Sequence, residues 1–454
     1  MGLQCIVLYI SFIIMHSIIL SNSKSIVKNL PGFDGDLPFT FETGYVGVGE
    51  HGDVEFFYYF VESQRNPSQD PLILYLTGGP GVAALSTFLY QIGPLSFNIE
   101  NCWNNNITLE LNPYSWTKIA NMIFIDTPAG VGFSYSKTWE ASRSSDSILA
   151  SNVYDFLRKW LMEHPRFLSN PLYLSGISYM GLIVPRVVLE TYNGNKVGNQ
   201  PRVNIEGYIM ISPFTDKFAD FNSRLELAHR LALISDDIYK SAIESCHGNY
   251  VYADDSNALC SNSLQRMEQC IGDINLSNTL EPFCAIVNPD PSCPEATQIF
   301  SEVWANNKDV QKALNVREGT VERWAYTNMS VRYFFDKEDT TCYSFDIFSS
   351  IEWQKQLTTE TCEVFIISGD HDMVFPYVGI QKWIKSLDVP IASPWKPWFL
   401  RSQVGGYQTT YERNGYSLKH ATIKGAGHVV FQTKPEEALS MVSEWLGSHT
   451  YSSA

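Results

Sequence analysis

A chain of 454 residues with 44% hydrophobic and 18% charged side chains has the make-up of a folded globular protein too long for a minimal domain. Its 48 acidic and 32 basic residues leave a net charge of −16, which argues against nucleic acid or an anionic membrane surface as partner.

The first twenty residues are mostly apolar, from Ile6-Val7-Leu8-Tyr9-Ile10 to Ile18-Ile19-Leu20, and Ser21-Asn22-Ser23 follow. This pattern predicts a signal peptide over residues 1–23, cleaved near 21–25. An uncleaved anchor is the alternative, because no Lys or Arg precedes the apolar run. No later stretch is long and apolar enough to span a bilayer, so the mature chain is expected to be soluble, in a vacuole or outside the cell. Three Asn-x-Ser/Thr triplets, at Asn106, Asn275 and Asn328, suit glycosylation on that route.

Residues 30–210 read as strands alternating with turns and helices. Val54-Glu55-Phe56-Phe57-Tyr58-Tyr59-Phe60, Pro71-Leu72-Ile73-Leu74-Tyr75-Leu76 and Asn121-Met122-Ile123-Phe124-Ile125 are strand-like. Runs flanked by Gly and Pro are expected to be buried parallel strands with loops at their carboxyl ends. A helix is expected over 145–162. Composition changes after Pro213, and residues 215–330 are expected to form a helical, disulfide-stapled cap between two parts of an α/β core, 24–214 and 331–454. In its clearest helix, 223–234, Leu225, Ala228, Leu231 and Ala232 fall on one face as a packing stripe. Cys246, Cys260, Cys270, Cys284 and Cys293 crowd the same segment without Cys-x-x-Cys spacing and with only His247 among them. Disulfides are therefore expected there, and no metal site. The α/β pattern resumes at Glu363-Val364-Phe365-Ile366-Ile367-Ser368 and closes with a helix over 435–446.

Chemistry concentrates in four segments. In Leu172-Tyr173-Leu174-Ser175-Gly176-Ile177-Ser178-Tyr179-Met180-Gly181 an apolar strand meets a Gly-flanked serine, the layout of a nucleophile elbow. Two residues, not the usual one, separate the serine from the second glycine, and an apolar Ile177 precedes it. A serine hydroxyl needs a base, and the base needs an acid to hold its tautomer. Gly369-Asp370-His371-Asp372 and Gly425-Ala426-Gly427-His428 follow in the order acid then base. Thr77-Gly78-Gly79-Pro80-Gly81 offers approachable backbone for an oxyanion and lacks the ending of a phosphate loop. Each segment alone could equally be a structural turn.

Together these segments resemble the serine carboxypeptidase family over nearly the whole mature chain, and Asp126-Thr127-Pro128-Ala129-Gly130-Val131-Gly132-Phe133-Ser134-Tyr135 matches a further signature of it. The resemblance implies an α/β-hydrolase fold with a mostly parallel sheet and no cofactor. It also implies a triad of Ser178, Asp372 and His428, oxyanion donors at the N–H groups of Gly79 and Tyr179, and a structural Asp370. Within the family the plant carboxypeptidase-like acyltransferases look closer, on Leu30-Pro31-Gly32-Phe33, Glu42-Thr43-Gly44-Tyr45, Leu111-Asn112-Pro113-Tyr114-Ser115-Trp116-Thr117-Lys118 and the Thr-Gly-Gly loop. That likeness implies transfer of an acyl group from a 1-O-β-glucose ester to an alcohol or amine. A serine carboxypeptidase and a non-catalytic companion are the alternatives.

The departures from the family pattern are informative. Its peptidases read a terminal carboxylate with an Asn before the Gly-Gly and a Glu before the serine, where this chain has Thr77 and Ile177. Isoleucine makes no hydrogen bond, and an unpaired anion in a pocket costs on the order of several kcal/mol. Peptidase action is therefore disfavoured, and so is an acceptor with a carboxylate. The pocket is expected to include Thr77, Gly78, Ile177 and Met180, the last narrowing it where the family has a small residue. Val82 and Thr327 stand where the family has a disulfide pair. By resemblance the remaining bridges are Cys246–Cys260 and Cys284–Cys293, with Cys102, Cys270, Cys342 and Cys362 unassigned.

Overall fold

The computed structural model describes residues 24–104, 106–254, 256–284, 293–328 and 343–447. The expected leader and Cys342 lie outside these residues.

Eleven strands build the main sheet: β1 (Lys24–Ile26), β2 (Phe41–Val48), β3 (Val54–Val61), β4 (Leu72–Leu76), β5 (Asn121–Ile125), β6 (Leu172–Ile177), β7 (Ile205–Ile211), β8 (Glu363–Gly369), β9 (Ile391–Leu400), β10 (Gln403–Arg413) and β11 (Tyr416–Ile423). A twelfth, Tyr135–Ser136, pairs with β3. The order across the sheet is β1-β2-β3-β5-β4-β6-β7-β8-β11-β10-β9. The six central strands, β5 to β11, run parallel, and antiparallel strands close both flanks. The fold class is as expected, with the parallel character confined to the centre. Every residue of β4, β5 and β6 is buried, which explains why these strands read as continuous apolar runs.

The helix expected over 145–162 is α2 (Asp146–Glu163), capped by the Ser145 side chain, which accepts from the Ile148 N–H. Ahead of it lies α1 (Ala84–Tyr90), and the helix after the elbow is α3 (Val184–Lys196). The closing helix spans Pro435–Trp445. The antiparallel hairpin β9–β10 had no signal in the sequence. β9 is mostly exposed, carries Pro394 and Pro397, and pairs with register shifts, so it lacks clean alternation.

The cap departs from expectation in two ways. Its first helix is α4 (Lys217–Arg230), capped by Asp216, so it begins and ends earlier than 223–234. Leu225 and Ala228 are buried as expected, but Leu231 closes the helix as its C-cap and the exposed Ala232 has φ +57° outside it. The stripe is cut because the chain turns to start α5 (Asp236–Cys246), which Ser235 caps. Secondly, residues 215–330 do not pack as one unit. Leu225, Ala228, Ile238, Ala242 and Ile271 of α4, α5 and α6 (Ala258–Ile271) form a small core with Met373 and Val378. Phe300, Trp304, Leu314 and Trp324 instead join the main core. Disulfides link Cys246 to Cys260 and Cys284 to Cys293, and Cys102, Cys270 and Cys362 are free thiols.

Candidate active site

Because β4, β6, β8 and β11 run parallel within one sheet, the loops that follow them all leave at the same edge. That is the edge where open α/β sheets place their sites. β6 delivers the elbow. Ser178 has φ +59°, in the left-handed region, and a single 3-10 turn, Ser178–Gly181, follows it. A Cβ on Gly176 would lie 2.7 Å from the Met180 Cβ, and one on Gly181 would lie 2.4 Å from the Phe214 carbonyl oxygen. Both glycines are therefore required by close approach, and the extra residue between serine and glycine is absorbed in the turn. Ser178 Oγ makes no hydrogen bond among the described residues, a contact that in resting hydrolases often forms only with substrate bound.

The loops after β8 and β11 bring together the residues expected to be acid and base. His428 Nδ1 lies 2.8 Å from Asp372 Oδ2. The N–H groups of Val374 and Phe375 donate to Asp372 Oδ1 at 2.7 and 3.2 Å. Asp372 is fully buried, so these donors replace the water it has lost. Asp370 sits apart from this pair: its Oδ1 accepts the Gly425 N–H at 2.7 Å and lies 2.6 Å from His371 Nδ1, tying the acid loop to the base loop. The cap also reaches both loops, since Leu276 O accepts the Met373 N–H at 2.9 Å and Ser277 O accepts the His428 N–H at 2.6 Å.

The Thr77 to Gly81 loop leaves β4 and lies directly on the nucleophile. A Cβ on Gly78 would meet the Ile177 carbonyl oxygen at 2.8 Å and the Ser178 Cβ at 2.9 Å. The Gly79 N–H makes no hydrogen bond among the described residues, and Gly79 lines the same cavity as Ser178.

Two buried carboxyl groups behind the site were not singled out as site residues by sequence reasoning. Asp126 accepts from the Ala84 N–H at 2.7 Å, the Phe133 N–H at 2.9 Å and the Tyr59 hydroxyl at 3.2 Å, fixing the start of α1 after the glycine loop. Asp146 Oδ1 accepts from the hydroxyls of Tyr179 at 2.6 Å and Tyr343 at 2.7 Å, and its Oδ2 accepts from the N–H groups of Asp346 and Ile347. It anchors the residue next to the nucleophile. A polar residue opening a capped helix at 146 was the available signal, and it reads equally well as capping.

Burial pushes the carboxyls of Asp126 and Asp220 up to about 7, against the pull of their backbone donors. In the folded chain each holds its proton at pH values where the unfolded chain has released it. Stability should therefore fall as pH rises from about 4 to about 7. Thermal unfolding is expected at a higher temperature at pH 5 than at pH 7.5, and the double variant D126N/D220N should flatten that difference in a melting series.

Ser178 and His428 line one cavity of about 320 Å³, with Thr77, Gly78, Gly79, Val82 and Ile177 on one side and Tyr90, Gln91, Tyr326, Thr327 and Gln432 among the other walls. Among the described residues lining it there is no Asp, Glu, Lys or Arg. A second hollow of about 370 Å³ opens beyond His428, shares Tyr90, Gln91 and Gln432, and adds Phe97, Tyr114 and Glu281. A larger hollow of about 710 Å³ near β1 contains none of these residues. The Thr77 hydroxyl is turned inward, 3.0 Å from the Thr87 hydroxyl. Gln91 Oε1 is buried without a hydrogen-bond partner among the described residues. The walls from Tyr90, Gln91, Tyr326 and Gln432 carry no local sequence signal, because they converge from distant segments. No group of His, Cys, Asp and Glu that could hold a metal ion occurs among the described residues.

The family model for serine carboxypeptidases matches residues 31–448. The chain belongs to the serine carboxypeptidase family. It is 42% identical over 427 residues to serine carboxypeptidase-like 16 of Arabidopsis thaliana, covering 94% of each chain. To serine carboxypeptidase-like 17 of the same plant it is 40% identical, covering 98% of this chain and 99% of the other. A prohormone-processing carboxypeptidase of Saccharomyces cerevisiae shares the fold, with a TM-score of 0.74 at 20% identity over 94% of this chain and 95% of that one.

For a member of this family the structure corrects one pocket residue and explains another pair. Met180 does not line the cavity: the turn after Ser178 folds it back against Gly176, and it is fully buried in the core. Ile177, by contrast, does line the cavity. Val82 and Thr327 face each other as a β-bridge, flanked by Ala83 N–H to Tyr326 O at 3.0 Å and Asn328 N–H to Gly81 O at 2.8 Å. Backbone pairing holds together the two segments where the family has a disulfide.

Proposed function

We propose that the protein is an acyltransferase that takes an acyl group from a 1-O-β-glucose ester and passes it to an alcohol or amine. The observation that carries this reading is the wall around Ser178. It has Ile177 before the nucleophile and no cationic side chain among its described residues, so a peptide's terminal carboxylate would be left unpaired. An uncharged sugar ester and a neutral or amine acceptor suit such a wall.

In this mechanism Ser178 Oγ attacks the ester carbonyl as its proton passes to His428, whose Nδ1 is held by Asp372. The N–H groups of Gly79 and Tyr179 receive the developing oxyanion. The carbon–oxygen bond to glucose breaks, and His428 returns the proton to the sugar. The acceptor then loses a proton to His428 and attacks the acyl group, releasing Ser178 with its proton. Tyr179 is suited to this role because Asp146 fixes its ring from behind.

The test is to incubate purified protein with a panel of acyl-glucose esters and acceptors and follow glucose and acylated product by mass spectrometry. Transfer to a neutral or amine acceptor supports the reading. Release of C-terminal amino acids from a peptide without ester transfer makes the protein a carboxypeptidase, and no reaction in a folded sample makes it a non-catalytic companion.

The same reading places the protein on the secretory route, to a vacuole or the cell exterior, as a glycoprotein, and no helix among the described residues is long and apolar enough to cross a membrane. Asn106 is exposed. The amide nitrogens of Asn275 and Asn328 instead donate to Pro282 O at 3.3 Å and Gly130 O at 2.8 Å. Asn106→Gln is therefore expected to remove the larger part of an endoglycosidase-sensitive mass shift, measured on protein expressed in plant cells.

A further inference from the structure

We propose that Arg224, on the cap helix α4, is a positioning residue that holds the acid loop of the triad in place. This rests on the reading of Ser178, Asp372 and His428 as a working triad.

The geometry is a continuous chain. Arg224 donates from Nε and Nη2 to the Val374 carbonyl at 3.3 and 2.9 Å. The N–H of the same Val374 donates to Asp372 Oδ1 at 2.7 Å, and Asp372 Oδ2 meets His428 Nδ1 at 2.8 Å. The guanidinium lies 4.4 Å from the centre of the Phe221 ring, so its plane is fixed from one side. Phe221 packs on Phe375, which packs in turn on His428 at 5.6 Å between ring centres. The cap thus grips the acid loop by a charge and the base by a ring.

A cation is needed here for electrostatic reasons. Asp372 is fully buried, and a second buried carboxyl, Asp220 on α4, is pushed up by burial and, to a smaller extent, by the charges of Asp216 and Asp372. Asp220 Oδ2 accepts from the Thr215 and Asp216 N–H groups at 2.6 and 3.0 Å, while its Oδ1 has no partner among the described residues. Two acidic groups in low dielectric compete for a proton unless a positive charge stands near both. The acidic groups facing Arg224 are Asp372 from the acid loop, Asp220 from its own helix and Glu268 from α6. Burial holds the guanidinium below its ordinary value, and the pull of these acidic groups offsets only part of that.

The test uses a fluorophosphonate probe on the full-length protein. Such a probe forms a bond from Ser178 Oγ to phosphorus as fluoride leaves and the hydroxyl proton passes to His428, so it reports triad competence without any sugar ester. Labelling of the wild type and none of Ser178→Ala is the starting condition; an unlabelled wild type sinks the triad reading and this proposal with it. Arg224→Met keeps the apolar stem and removes the charge. It should slow labelling about 10- to 100-fold at pH 6, as for loss of a hydrogen bond from a charged group. The pH at which labelling reaches half its plateau should rise, because a positive charge near the site that disfavours proton binding is then gone. Arg224→Lys should restore the pH midpoint while regaining only part of the rate. An unchanged rate and midpoint in Arg224→Met overturns the proposal. So does a slow rate with an unmoved midpoint in both variants, which is the behaviour of a purely structural residue. Should Arg224→Met not fold, Arg224→Lys against Arg224→Gln makes the same comparison.

Discussion

Ser178→Ala is expected to lower glucose release from an acyl-glucose ester by a factor on the order of 10⁶, and His428→Ala by a similar factor. The two together should cost little more than either alone, because nucleophile and base act as one unit. The structural grounds are the elbow and its surroundings: Ser178 held at φ +59°, the Gly78-Gly79 loop within van der Waals reach of it, and His428 fixed by a buried Asp372. Asp372→Asn should cost on the order of 10⁴, since an amide can hold the wrong imidazole tautomer. Single-turnover release of glucose, with circular dichroism to establish folding, measures all three. If Ser178→Ala keeps more than a few per cent of the wild-type rate, the hydroxyl is not the nucleophile and the mechanism fails.

Discrimination against a carboxylate in the acceptor is the second large effect. An acceptor with a free carboxyl should react on the order of 10²-fold or more slowly than its methyl ester, because no cation in the described cavity wall pairs with the anion. Ile177→Gln places an amide donor beside Ser178 without adding a charge, and should reduce that discrimination by about tenfold. Competition assays with the acid and its ester in one mixture read the ratio directly. Equal rates for the two in the wild-type protein would show that another group reads the carboxylate, and would reopen the peptidase reading.

The secondary structure that positions the site follows local rules. β4, β6 and β8 could be located because strands buried on both faces are continuous apolar runs, and α2 was legible as a helical stretch over 145–162. The β9–β10 hairpin could not, because an exposed, irregularly paired strand leaves no periodic trace. The four loops of the site were found as motifs because each needs glycine or a particular side chain at a fixed offset. Met180 was misplaced for a related reason: adjacency to a nucleophile says nothing about which way a 3-10 turn points the next side chains. The walls of the cavity, and the carboxyls of Asp126 and Asp146, depend on contacts between residues tens to hundreds of positions apart.

By itself the amino-acid sequence determined the parallel strands of the core, the chain order of the Ser178, Asp372 and His428 segments, and the apolar neighbour Ile177, because these are set by local periodicity and by residue type. Only the tertiary structure decided that Met180 faces the core, that Val82 and Thr327 are joined through backbone pairing, that the wall around Ser178 lacks a cation among its described residues, and that Arg224 reaches the acid loop. Those facts depend on how the cap and the sheet converge, and burial and charge pairing arise only when distant segments exclude water together.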